Sequence, residues 1–177
     1  MDQVAILRLT LDVSGNVYVT GETSSSNFAG VAGGAQPAYG GVMDVFVAKL
    51  SADLKTLLQA TYLGGGDDDR PSSIGIDSSG NVFVTGYTTL VSSYTYRFPG
   101  IAGGATSSFA TNTNQAGFVA KLSDDLKTLY QSTLLAGSYD SASIAALGLG
   151  PTGNVYVTGV TYATDFPAAA GGAKPTP

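Results

Sequence analysis

One unit repeats along this chain, and that repetition limits the folds open to it more than any other feature. Ser14-Gly-Asn-Val-Tyr-Val-Thr-Gly21 returns as Ser79-Gly-Asn-Val-Phe-Val-Thr-Gly86 and again as Thr152-Gly-Asn-Val-Tyr-Val-Thr-Gly159, at spacings of 65 and 73 residues. A second block, Phe46 to Gln59, recurs 72 residues later as Phe118 to Gln131, with twelve of fourteen positions identical. A third echo joins Phe28, Phe98 and Phe166, each followed by an Ala-Gly-Gly-Ala box. A chain with a fixed period folds as an array of one supersecondary unit. The 177 residues hold about two and a half copies.

Within a unit every apolar run is short. Leu9-Thr-Leu11 and Val17-Tyr-Val-Thr20 flank a Gly-containing turn, the pattern of a β-hairpin. Gly15, Gly80 and Gly153 stand where such a turn requires positive φ. Asp12 and Asp77 are placed to cap it, whereas Gly150 replaces that acid in the third copy. Four strands follow for the first unit: A (Ile6–Asp12), B (Asn16–Glu22), C (Asp44–Leu50) and D (Thr56–Leu63). A Gly64–Asp69 turn then leads to a first strand of the next unit at Ser73–Asp77. Asp53, Leu54, Leu57 and Leu58 have helical spacing, which offers a helix over Ser51–Tyr62 as the competing reading. The flanking Thr and Tyr residues favour the strand.

Four short antiparallel strands per unit make the blade of a β-propeller. The fold expected is therefore all-β, a propeller segment of about two and a half four-stranded blades. Residues 1–63 form the first blade, with a long B–C loop at 23–42. Residues 64–135 form the second, with its loop at 88–117, and 136–177 half of a third with a C-terminal loop. Loops of that length are uncommon in compact domains. The repeated Phe within them points to an anchor set back onto the blade.

Composition removes several functions. The chain has no His, Cys or Trp, so it holds no His or Cys zinc site, no Cys nucleophile, no disulfide and no Ser-His-Asp triad. A net charge of −5 argues against a nucleic-acid partner. No run of 18 apolar residues is long enough to span a membrane as a helix. Met1-Asp2-Gln3 lacks the basic and apolar regions of a signal peptide. Secretion, if it occurs, is directed from elsewhere, or the chain is a piece of something longer.

The motifs resemble the bacterial SBBP (seven-bladed beta-propeller type) repeat family. The matching segments are Asp77 to Gly86, Thr161 to Asp165-Phe166-Pro167, Asp44 to Leu50, and Thr61-Tyr-Leu-Gly-Gly65. Asn27-Phe28-Ala29 and Leu135-Ala136-Gly137 depart from the family pattern. The resemblance implies a propeller in large secreted or surface proteins of bacteria, and it implies no catalytic residues.

Few residues stand out as sites. Asp67, Asp68 and Asp69 are consecutive hard oxygen donors in a Gly-rich turn, a candidate for calcium against the alternative of a solvated turn. In the second copy only Asp140 remains, which weakens a repeated site. Tyr94, Tyr96 and Phe98 cluster in a loop five residues longer than its counterparts. Exposed, they would stack on a sugar or a partner protein; tucked in, they would cover their own blade. Lys49 and Lys121, with Lys55 and Lys127, recur at equivalent places and read as scaffold. The expectation is a non-catalytic extracellular or cell-surface structural or interaction module with no cofactor beyond a calcium candidate. It would pair with protein partners or other copies of itself through strand edges. A carbohydrate- or ligand-binding propeller is the alternative.

Overall fold

The computed structural model describes residues 2–89, 98–106, 114–137 and 141–166, and among them all regular structure is strand. The first sheet contains β1 (Val4–Leu11), β2 (Val17–Thr23), β3 (Asp44–Leu50) and β4 (Leu57–Leu63) in sequence order. The second repeats this with β5 (Asp69–Ile76), β6 (Val82–Thr89), β7 (Gln115–Leu122) and β8 (Leu129–Leu135). A third, two-stranded sheet pairs β9 (Ala142–Leu149) with β10 (Val155–Thr161). All pairings within the sheets are antiparallel. These are two propeller blades and the first two strands of a third.

Two details differ from the sequence reading. The strand after the Gly run begins at Asp69 rather than Ser73, because Asp69, Arg70 and Pro71 continue the ladder beyond the bulge with Thr88, Tyr87 and Gly86 of β6. The helical reading of Ser51–Tyr62 gives way to a turn followed by β4. Leu54 adopts φ 59°, outside the right-handed helical region. The Ser51 and Asp53 side chains close the turn by accepting from Thr56 N (3.1 Å) and Lys55 N (3.1 Å).

The repeated Val-Thr-Gly follows from a bulge. The A–B pairing shifts register at the same place in each unit. There the carbonyl of strand A approaches the partner glycine closely. A Cβ at Gly21, Gly86 or Gly159 would lie 1.8–2.1 Å from Ala5 O, Arg70 O or Ser143 O, so no other residue fits. The A–B turn is held by its acid. Asp12 accepts from Ser14 N, Asn16 N and Asn16 Nδ2 at 2.8–2.9 Å, and Asp77 does the same with Ser79 and Asn81. Burial acts to raise the Asp12 carboxyl, but these bonds, with Lys49 nearby, hold it below its ordinary value.

The long loops are covers. In the first blade the loop follows the outer edge of β4, with Ala60 N donating to Gly30 O (2.8 Å) and Tyr62 N to Gln36 O (3.0 Å). Phe28 stacks on Phe46 at 4.4 Å between ring centroids, and Phe98 lies on Phe118 at 4.5 Å in the second blade. The fourth-strand edges, which would otherwise template further pairing, are therefore occupied.

Register assigns the side chains to two faces. Val17, Val19 and Gly21 of β2 share one face with Phe46, Ala48 and Tyr62; Tyr18, Val45, Val47 and Leu63 occupy the other. The second face of blade one packs on the first face of blade two, where Ile74, Val82, Val84 and Phe118 complete the main core. Blade two then turns its own second face toward β9: the space beside Gly117 is filled by Ile144 and that beside Gly75 by Leu147 and Leu149.

Candidate functional site

Because the blades stack in register, every repeated position exists in two environments, and their comparison locates the open surfaces. Leu126, in the C–D turn of blade two, is fully buried against blade one, and its carbonyl accepts from Ala35 N (2.9 Å). Its repeat equivalent Leu54 has the same left-handed backbone but is 63% exposed. Leu9, equivalent to Ile74, is 64% exposed where Ile74 is 8%. Val4, Ile6 and Leu11 are exposed beside Leu9 on the same face of β1. The β1 side of that face is therefore an apolar blade interface left uncovered among the described residues, while Phe28 covers its β3 side.

The opposite end shows the complementary surface. Tyr18 is buried between the blades, where its hydroxyl donates to Asp124 O (2.8 Å) and Lys49 Nζ lies 4.9 Å from its ring centroid. Tyr156, its equivalent in β10, is 62% exposed, with Val160 and Tyr162 exposed on the same face. Arg70 and Glu22 also join blades one and two, at 3.4 Å. Exposed apolar patches of this kind mark association surfaces.

The acidic turn is rearranged relative to expectation. Asp67 and Asp69 are buried and Asp68 is partly so, so the three do not form a solvated turn. Among the described residues no group of three or more acidic side chains comes together as a metal site. Asp69 instead lies near Asp44, a residue the sequence reading treats only as the start of strand C. A Cβ on Gly64 would lie 2.8 Å from Asp44 Oδ1 and 2.8 Å from Asp69 Oδ2, which brings the two carboxyls together across that glycine. Asp44 accepts from Gly40 N (2.8 Å) and Gly41 N (3.2 Å); Asp69 Oδ2 accepts from Gly65 N (2.7 Å), while Oδ1 has no partner. Burial raises Asp44 to about 6 despite its two amide bonds. Burial, opposed by Thr88 and Gly65 and reinforced by Asp44 and Asp67, raises Asp69 to about 8. Paired carboxyls with raised values suit acid-base chemistry. Here both are fully covered, and a catalytic acid must reach its substrate.

The signal that finds this pair lies between the repeats. Gln36, Asp44, Gly64 and Asp69 correspond to Thr106, Ala116, Ala136 and Ser141, so the acids and the glycine between them disappear together. The aromatic candidates divide. Phe98 is 2% exposed against Phe118 and presents no face to a ligand, whereas Tyr94 and Tyr96 lie outside the described residues. Lys49 and Lys121 occupy matching places over Tyr18 and Phe83. No helix among the described residues is long and apolar enough to cross a membrane.

Residues 8–29 and 60–89 match the SBBP beta-propeller repeat family. The matched segments cover most of the A–B hairpin of blade one, the whole of that in blade two, and the passage from β4 into β5. No curated protein matches the chain.

Proposed function

We propose that this chain, which carries SBBP beta-propeller repeats, is a non-catalytic structural or interaction module whose open blade faces receive further blades or other copies of itself. The observation that carries the reading is the contrast between Leu126 and Leu54. One sequence position is fully buried by a neighbouring blade in one unit and 63% exposed in the other. A surface of Val4, Ile6, Leu9, Leu11 and Leu54 removes apolar area from water when a blade covers it, at about 25 cal/mol per Å². An extracellular or bacterial-surface setting belongs to the same proposal and is supported by the family resemblance alone. Hydrophobic cover supplies the binding free energy in this reading, and neither a cofactor nor calcium enters it.

Light scattering across micromolar concentrations tests it. The wild-type chain is expected to associate as concentration rises. Leu54→Lys with Leu9→Lys is expected to remain monomeric while melting at nearly the wild-type temperature, since both side chains are exposed within one chain. A wild-type chain that stays monomeric throughout overturns the reading.

A further inference from the structure

Asp44 and Asp69 set two carboxyls without exposed surface against the same glycine, at the junction of blades one and two. The point that a Cβ of Gly64 would take lies 2.8 Å from Asp44 Oδ1 and 2.8 Å from Asp69 Oδ2. Glycine is what lets both acids close on that point. Among the described residues no lysine or arginine pairs with either acid, and Arg70, which follows Asp69 in β5, pairs with Glu22 of β2 instead. Buried carboxylates are costly unless a proton, a cation or a full set of hydrogen bonds meets them.

The hydrogen bonds present orient the carboxyls without exhausting them. An ionised carboxylate offers about four acceptor positions. On Asp44, Gly41 N donates to Oδ1, while Gly40 N and, at 3.5 Å, Gln36 Nε2 donate to Oδ2. On Asp69, Gly65 N donates to Oδ2, and Oδ1 has no hydrogen-bond partner although the residue is completely buried. Neutral oxygens stand beside the acids: Gln36 Oε1, which accepts from Gly64 N (3.1 Å), and the buried Thr88 hydroxyl next to Asp69. In blade two Ala116 and Ser141 replace the acids and Ala136 the glycine. The blade therefore folds without this group, and its members come and go together.

We propose that Asp44 and Asp69 form a binding site for one calcium ion at the junction of blades one and two, with Gln36 Oε1 and the Thr88 hydroxyl as neutral oxygen ligands. Calcium is a hard cation that accepts carboxylate, amide and hydroxyl oxygens in a flexible shell, and its two charges match those of the pair. The site lies inside the junction and is independent of the open blade faces. Calcium binds carboxylates rather than carboxylic acids, so binding displaces the protons of the pair. The other titratable groups around it are Asp67 and Asp68 of the Gly64–Asp69 turn, Tyr39 of the covering loop and Tyr62 of β4. Burial and the nearby acids push Tyr39 up to about 12, so its hydroxyl stays neutral while the acids titrate. With Asp69 at about 8 and Asp44 at about 6, apparent affinity falls about tenfold per pH unit below 8 and up to about a hundredfold per unit below 6.

Isothermal titration calorimetry of the full chain, treated with chelator and dialysed, with calcium chloride tests it, alongside thermal melting. At pH 8 one saturable site per chain and a melting temperature that rises with calcium are expected; at pH 5 both responses should be lost. Asp44→Ala, Gly64→Ala, Asp69→Ser, which copies blade two, is expected to abolish the response at pH 8. Asp53→Asn, at an exposed acid, is expected to leave it as in the wild type. The pH comparison uses the wild-type chain, so the result does not depend on how the triple variant folds. A pair that holds protons alone would give pH-dependent melting with no response to calcium. That outcome, no saturable binding up to about 10 mM calcium, equal binding at pH 5 and pH 8, or a response that survives in the triple variant overturns the proposal.

Discussion

Truncation of Leu126 to alanine should destabilise the chain strongly, and the same change at Leu54 should scarcely register. Leu126 is fully buried in the cluster between blades one and two, so its truncation leaves a cavity bounded by residues held on two sheets. Buried Leu→Ala changes cost about 2–5 kcal/mol. For a domain of 150–250 residues each kcal/mol moves the melting temperature by about 2–4 °C, so a drop of about 4–20 °C is expected. Leu54 is 63% exposed, and surface truncations usually stay within about 0.5 kcal/mol. The pair is internally controlled. Both residues have left-handed backbones, at φ 58° and 59°, and alanine keeps the Cβ, so the backbone cost cancels between the two sites. Leu54→Gly extends the test: it releases that strain, worth roughly 1–2 kcal/mol, and should raise the melting temperature. Thermal unfolding at low micromolar concentration, with light scattering to confirm monomers, is the assay. Equal losses at the two positions would refute the packing of blade two against blade one.

The acid pair makes stability depend on pH in an unusual direction. Asp44 and Asp69 are raised from 3.8 to about 6 and about 8, so the folded chain binds more protons than the unfolded one between those values. Stability from this pair is complete below about pH 4 and is lost as pH rises toward 8, the reverse of the usual carboxylate dependence. Asp69→Asn should flatten that slope in melting temperature against pH, and an unchanged slope would contradict the pairing. Gly64→Ala alone should cost roughly 1–3 kcal/mol by forcing a Cβ between the carboxyls. The triple change Asp44→Ala, Gly64→Ala, Asp69→Ser, which copies blade two, should recover most of that loss in chemical denaturation; a merely additive result would show that the three do not act together. Gly80→Val forces a β-branched residue to φ 86° in the A–B turn and should lower stability by roughly 1–3 kcal/mol. A melt unchanged within error would mean the turn tolerates side chains there.

How much of this was legible beforehand depends on range. Strand C was read to the residue and strands A, B and D to within two, because each is bounded by local turn chemistry: Gly15 at φ 79°, the Asp12 cap, the Ser51–Asp53 turn. The loop phenylalanines also read correctly as anchors, since repetition argued for a shared packing role. What stayed hidden is set by contacts between units. Asp69 N also donates to Met43 O of the first blade, and no local pattern announces that. The proximity of Asp44 and Asp69 is likewise tertiary, and the run of Asp67, Asp68 and Asp69 in the sequence does not point to it. Leu54 and Leu126 are the same residue in nearly the same local sequence, so only the stacking order of the blades separates them.

That separation can be read directly, because the chain contains no cysteine. Leu54→Cys and Leu126→Cys each introduce one thiol whose rate of maleimide labelling reports how it is covered. The account predicts rapid labelling at position 54 in dilute solution, slowing as protein concentration rises, and labelling at 126 only at the rate of unfolding at every concentration. Equal labelling of the two thiols, or a rate at position 54 that ignores concentration, would contradict it.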